Sequence, residues 1–90
     1  MNEKPKKAAT LKYNQDEDFA PIISAAGKGY VAEEIIKRAE ENNIPIVEDP
    51  SLVEILAELN INTHIPEELF QVVAEVFAFI YQTDKKSLGD

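Results

Sequence analysis

The sequence predicts an α/β domain in which a small mixed β-sheet of three or four strands is flanked by about three helices. Short apolar runs bounded by proline, glycine or asparagine are typical of strands. They alternate with longer segments whose apolar residues recur every three or four positions, which is typical of helices. With 90 residues, 44% of them hydrophobic, the chain is long enough to build one modest core.

The first two predicted strands lie near the N-terminus. Residues 8–13 (AATLKY) end in strand-favouring residues, and residues 21–26 (PIISAA) run into a glycine turn at residues 27–29. A short acidic loop joins them, so they could pair as an antiparallel hairpin. Residues 44–48 (IPIVE) suit a third, buried strand. A strand, a helix and a strand joined by short connections predict a right-handed parallel crossover.

Three helices are predicted after the second strand. Residues 30–43 place apolar side chains on one stripe and pair acids with bases four positions later on the opposite face. Asp49 and Pro50 form a helix start, because aspartate accepts hydrogen bonds from first-turn amides and proline is tolerated at the first helical position. The third helix begins at Pro66. Its predicted apolar stripe contains Leu69, Val72, Val73, Val76, Phe77 and Ile80, and it is widened by Phe79 and Tyr81.

Charge and composition exclude several classes of function. The net charge is −8, with lysines concentrated near both ends, so residues 1–7 are predicted to form a flexible basic tail, residues 8–82 the domain and residues 83–90 a second flexible tail. An acidic body repels phosphate backbones, so nucleic acid is not an expected partner. Without cysteine there are no disulfides, and no segment approaches the ~20 apolar residues that span a bilayer. We therefore expect a cytoplasmic domain without direct membrane insertion.

No catalytic constellation is evident in the sequence. His64 is the only histidine and there is no cysteine, while the adjacent glutamate pairs diverge by about 100° on a helix and so form no acid–base dyad. We expect no enzymatic activity, no cofactor and no metal site.

A glycine motif offers an alternative function. Residues 27–32 (GKGYVA) follow a predicted strand and open a predicted helix, and Glu48 lies near the position of a ribose-binding acid. The alternative is a small nucleotide-binding domain that uses Gly27 and Gly29. Against it, the chain has room for about half of a dinucleotide fold, and a tight strand-to-helix turn also needs glycine.

Several phrases of the sequence resemble one family closely. They are Leu11-Lys12-Tyr13, the Ala20-Pro21 that ends the acidic loop, the A-x-G turn of residues 25–27, residues 39–50 (AEENNIPIVEDP) and residues 65–76 (IPEELFQVVAEV). The family is the cytoplasmic C-terminal domain of the export-switch protein of type III secretion, called FlhB in flagella and YscU in injectisomes. The resemblance runs from about Ala8 to Tyr81, in order and without large gaps.

The resemblance implies a role in protein export. In that family the domain hangs from a membrane-embedded part of the export gate and cuts itself at an Asn-Pro-Thr-His turn just before the strand that matches residues 8–13. Cleavage lets the apparatus change substrate class in concert with a secreted length-control protein. Here Lys4-Pro5-Lys6-Lys7 stands at that place, so self-cleavage is not carried over. Asn62-Thr63-His64 resembles part of the motif, but it lacks the proline and lies at the far end of the domain, so we interpret it as coincidence.

The strand that precedes the cut in the family is also missing from this sequence, which predicts a binding site. Residues 8–13 would then lie at a sheet edge with unpaired main-chain groups, and such an edge can accept a strand from another protein. We expect a stand-alone, non-enzymatic relative that binds export-gate components, export substrates or the length-control protein. The predicted partner-binding residues are Ala9, Thr10, Leu11, Lys12 and Tyr13, with Leu11 and Tyr13 giving selectivity. A relic that folds but no longer binds the apparatus is the remaining alternative.

Overall fold

The computed structural model describes residues 6–14 and 16–89, with side chains up to Tyr81. Its elements are β1 (Lys7–Lys12), β2 (Ile22–Lys28), α1 (Tyr30–Glu41), α2 (Pro50–Leu56), a 3-10 helix (Glu67–Leu69) and α3 (Phe70–Gly89). Residues 1–5, most of the predicted basic tail, lie outside the described part of the chain. Helix α3 continues through residues 83–89, and the flexibility of the predicted tail 83–90 stays a prediction.

Strands β1 and β2 pair as the predicted antiparallel hairpin. The pairs are Lys7 with Lys28, Ala8 with Gly27, Ala9 with Ala26, Thr10 with Ala25, Leu11 with Ile23 and Lys12 with Ile22. The register shifts after Thr10, which leaves Ser24 as the extra residue of a β-bulge. The side-chain hydroxyls of Thr10 and Ser24 are 2.6 Å apart and hydrogen-bonded across this bulge.

Residues 62–65 lie along the other side of β2. The N–H of Ile23 donates to the carbonyl of Thr63 at 2.9 Å, and the N–H of Asn62 donates to the carbonyl of Ile23 at 2.6 Å. A single antiparallel bridge joins Ile22 to His64. Across the described residues the sheet therefore contains two strands and this short additional pairing, which is fewer than the three or four strands predicted.

The predicted third strand, residues 44–48, does not pair with another strand. Ile44, Ile46 and Val47 are 54%, 46% and 40% exposed, so the segment is not buried either. An apolar run favours burial, but strand formation also needs a neighbouring strand to pair with. Pro45 in addition lacks the N–H that would donate a hydrogen bond to such a strand. The predicted parallel crossover is therefore wrong.

The two faces of the hairpin carry different helices. Ala9 and Leu11 pack on the core, whose buried residues are Ile23, Leu52, Leu56, Ile65, Leu69 and Val73, contributed by β2, α2, the loop after it, the 3-10 helix and α3. Because side chains alternate along a strand, Ala8 and Gly27 face the opposite side. A Cβ added to Gly27 would lie 2.3 Å from Cγ1 of Val31, so this side carries α1.

The helix ends follow the sequence signals. The Asp49 side chain accepts a hydrogen bond from the N–H of Leu52 at 3.1 Å, which confirms the predicted start of α2. Helix α1 ends at Glu41, two residues before the predicted end. The third helical segment opens as a 3-10 turn, which leads directly into α3. Phe79 and Tyr81 are 64% and 65% exposed, so they lie outside the core.

Candidate protein-binding site

The hydrogen bonds of the hairpin define which side of β1 faces β2. The N–H of Gly29 donates to the carbonyl of Lys6 at 2.7 Å, which extends the ladder by one pair. In an antiparallel pair, main-chain groups of every second residue point to the partner strand. Counting from Lys6, the N–H and C=O of Ala8 and Thr10 also point to β2.

The alternate residues, Lys7, Ala9 and Leu11, direct their main-chain groups away from β2. The position of Ile23, opposite Leu11, agrees with this assignment, because its own N–H and C=O point to residues 62 and 63. Within residues 6–14 and 16–89, no backbone hydrogen bond joins the outward groups of β1 to another segment. This side of the strand, which we call the β1 edge, has the geometry needed to accept another strand.

The five predicted binding residues contribute to the β1 edge in different ways. The side chains of Ala9 and Leu11 pack on the core and are partly buried. The Thr10 hydroxyl is bonded to Ser24. Lys12 is exposed, and Tyr13 lies just after the strand, 45% exposed, with its ring centroid 6.4 Å from that of Phe77. Selectivity is expected from Leu11 and Tyr13, of which Leu11 is partly buried and Tyr13 is exposed.

Residues 44–48 are a feature that sequence reasoning missed, because it assigned them to the buried sheet. In the structure they are extended and exposed, and they lead from α1 into α2. Their sequence held no local signal of this exposure, because a continuous apolar run such as IPIV is also typical of a buried strand.

The glycine turn has a structural explanation. Gly27 leaves room for the side chain of Val31, and Gly29 has a φ of 63°, a conformation that favours glycine. A dinucleotide site lies at the carboxyl ends of parallel strands, whereas β2 pairs antiparallel with β1. The nucleotide-binding alternative is therefore not supported.

Asn62, Thr63 and His64 also have a structural explanation. Their backbone pairs with β2, Asn62 has a φ of 68°, and the Thr63 hydroxyl donates to the carbonyl of Asn60 at 2.6 Å. The His64 ring stacks on Phe19, with centroids 4.1 Å apart. In the described part of the chain, no group of histidine, aspartate and glutamate side chains could hold a metal ion.

No helix among the described residues combines the length and apolar character needed to cross a bilayer.

The pattern of a two-stranded hairpin followed by three helical segments has known counterparts. The model of the family described as "FlhB HrpN YscU SpaS Family" matches residues 5–80. The chain belongs to this family. The chain is similar to the "Uncharacterized protein YlqH" of Bacillus subtilis (strain 168), which is 46% identical over 80 residues, covering 89% of this chain and 86% of YlqH.

FlhB proteins that are longer than this chain match it over part of their length. The "Flagellar biosynthetic protein FlhB" of Aquifex aeolicus (strain VF5) is 36% identical over 80 residues, which are 88% of this chain and 23% of that FlhB. The crystal structure of the cytoplasmic domain of FlhB from Shewanella putrefaciens superposes with a TM-score of 0.87 at 35% identity, covering 93% of this chain and 66% of that one. The PscU C-terminal domain gives a TM-score of 0.79 at 26% identity, covering 83% and 96%. The FlhB-family chain thus spans less than a quarter of the length of the Aquifex protein.

Proposed function

We propose that this domain is a non-enzymatic, cytoplasmic protein-binding module of the flagellar or type III protein export system. Membership of the FlhB family supports the system, since relatives are named flagellar biosynthetic proteins. The partner is an export-gate component, an export substrate or a length-control protein. The residues that bind it are Ala9, Thr10, Leu11, Lys12 and Tyr13, with the main chain giving affinity and side chains such as Leu11 and Tyr13 giving selectivity.

The observation that carries this proposal is the set of outward main-chain groups on Lys7, Ala9 and Leu11. Unpaired main-chain groups at a sheet edge can bind strands from other chains, unless another segment covers the edge or charged side chains protect it. Here the outward amides have no backbone partner in the described residues. The sequence has no catalytic constellation, which supports protein binding over enzymatic catalysis. The acidic body of the domain disfavours nucleic acid as the partner.

The test removes one outward amide while keeping the hairpin intact. In Ala9→Pro the lost N–H is one that points away from β2, and proline is tolerated on edge strands at such positions. Ala9→Gly is the control, because it keeps the N–H and shortens the same side chain. Binding of both variants to a purified export-gate protein, an export substrate and a length-control protein would be measured by titration calorimetry.

We expect Ala9→Pro to weaken binding of one of these proteins by about tenfold, the effect of losing a main-chain hydrogen bond at an interface, and Ala9→Gly to weaken it far less. If the folded Ala9→Pro variant binds as tightly as the parent, the β1 edge is not the binding site.

A further inference from the structure

The path of the chain between α1 and α2 bears directly on the β1 edge. Helix α1 starts after the turn at Gly29 and packs back along the hairpin. Its 12 residues span about 18 Å, comparable with the length of β2, so its last turn returns to the end of the hairpin that contains Lys12. Helix α2 lies on the opposite face and near the other end, because Oε1 of Glu54 is 3.7 Å from Nζ of Lys7.

Residues 44–48 therefore run along the length of the hairpin while the chain changes from one face of the sheet to the other. The outer side of β2 is already occupied by residues 62–65. The passage must lie on the other side of the sheet, beside the β1 edge.

The main chain of residues 44–48 is as incompletely paired as the β1 edge. The N–H of Ile44 donates to the carbonyl of Ala39 at 2.8 Å, which belongs to the end of α1. For Ile46, Val47 and Glu48 no backbone hydrogen bond is found among residues 6–14 and 16–89. On this path residues 44–48 would lie beside β1, and among the described residues no backbone hydrogen bond joins the two segments.

The side chains of residues 44–48 are suited to contact an added strand. Ile44, Ile46 and Val47 are between 40% and 54% exposed, although they are apolar. In an extended segment Ile44 and Ile46 point to one side and Val47 to the other, so apolar surface is available on both faces. Burial of such surface is a source of binding energy.

The charges around this passage are predominantly acidic. They are Glu40 and Glu41 at the end of α1, Glu48 and Asp49 within the passage, and Glu54 in α2. The nearby bases are fewer: Arg38 in the last turn of α1, Lys7, which is paired with Glu54, and Lys12 at the far end of β1. Complementary charge favours a basic partner segment and disfavours an acidic one.

We propose that residues 44–48 form the second wall of the partner-binding site. The occupant is an extended segment of a partner protein in which apolar and basic residues alternate, and it lies between β1 and residues 44–48 with main-chain hydrogen bonds to both. This proposal rests on the proposed function, since it takes the β1 edge as the first wall. It adds the chemical class of the ligand and a second set of contacts.

The experiment compares matched substitutions on the two sides of the sheet. Ile46→Ser removes apolar surface from the second wall. Ile61→Ser is its control, because Ile61 is 49% exposed, close to the 46% of Ile46, and lies in the loop on the β2 side. The probes are fluorescent peptides of about eight residues, the length of a typical strand, that alternate valine with lysine or valine with glutamate. Affinities would be measured by fluorescence polarisation for the parent, Ile46→Ser, Ile61→Ser and Ala9→Pro.

We expect the valine–lysine peptide to bind the parent, with Ile46→Ser and Ala9→Pro each weakening it by about tenfold and Ile61→Ser leaving it unchanged. A loss of peptide affinity in Ala9→Pro but not in Ile46→Ser would overturn the second wall while leaving the proposed function intact. No loss in either variant, or no binding by the parent, would overturn the second wall as well as strand addition to β1. Equal binding of the valine–glutamate peptide would overturn the assignment of a basic ligand.

Amide hydrogen exchange gives a readout that does not depend on substitutions. With the valine–lysine peptide bound, we expect slowed exchange at Ala9 and Leu11 and at one or more of Ile46, Val47 and Glu48. Protection confined to β1 would contradict a ligand held between two walls. Self-association of the chain that disappears as the peptide binds would show that the natural occupant is a second copy, contrary to the proposal.

Discussion

At the scale of single residues, Gly27 shows how closely the hairpin and α1 approach each other. An added Cβ would lie 2.3 Å from Cγ1 and 2.8 Å from Cβ of Val31, so Gly27→Ala must displace the helix or the strand. We expect a loss of about 1–3 kcal/mol in the free energy of unfolding, measured by urea denaturation. Adding Val31→Ala should recover part of this loss, because it removes the nearest clashing atom. A double variant no more stable than Gly27→Ala would contradict the clash.

The cap of α2 is a second contact whose energy can be measured. Asp49 accepts a hydrogen bond from the N–H of Leu52, and α2 has only 7 residues. Asp49→Ala should lower the free energy of unfolding by about 1 kcal/mol, whereas Asp49→Asn, which keeps a capping oxygen, should lower it much less. Thermal unfolding followed by circular dichroism would distinguish them, and equal losses in the two variants would show that the cap is unimportant.

At the scale of secondary-structure elements, the two sides of β1 predict opposite responses to proline. The N–H of Thr10 points to β2, so Thr10→Pro removes a ladder bond and leaves a carbonyl of β2 without its partner. We expect the free energy of unfolding of this variant, measured by urea denaturation, to be about 1–3 kcal/mol lower than that of Ala9→Pro. The reverse order of stability would mean that the assignment of inward and outward residues in β1 is wrong.

The elements also show how far the sequence alone could predict the fold. The hairpin and the start of α2 were predictable because local signals define them: a turn loop, a glycine turn, and Asp49 before Pro50. The assignment of residues 44–48 to the sheet failed because strand pairing depends on a neighbour elsewhere in the chain. The bulge at Ser24 and the pairing of residues 62–65 with β2 have no local signature, since they arise from tertiary contacts.

For the proposed binding site, the sequence predicted strand β1 but not which of its residues direct their amides outward. Ala9 and Thr10 occupy neighbouring positions, yet only the first directs its amide outward. That difference depends on which residues of β1 form hydrogen bonds to β2, and the β1 sequence alone does not determine this pairing register. The exposure of Ile46 was likewise unpredictable, because it depends on the path between α1 and α2.

At the scale of the whole molecule, a bound partner segment should stabilise the fold. A ligand that binds only the native state at about 100 times its dissociation constant adds about 2.7 kcal/mol to the free energy of unfolding. We therefore expect the valine–lysine peptide to raise the melting temperature of the parent domain in differential scanning fluorimetry. The peptide should stabilise Ala9→Pro only about half as much, because tenfold weaker binding reduces the added free energy to about 1.4 kcal/mol. A rise of the same size in both proteins would indicate binding away from the β1 edge.

The antiparallel bridge between Ile22 and His64 also has a consequence for the order of folding. The hairpin joins neighbours in the sequence, whereas this bridge closes a loop that contains α1 and α2 and spans nearly half of the chain. Loop closure costs more entropy for distant residues, so contacts of this kind form late unless other interactions bring their ends together. The hairpin can therefore assemble first, and docking of residues 62–65 then joins the two halves of the chain into one cooperative unit.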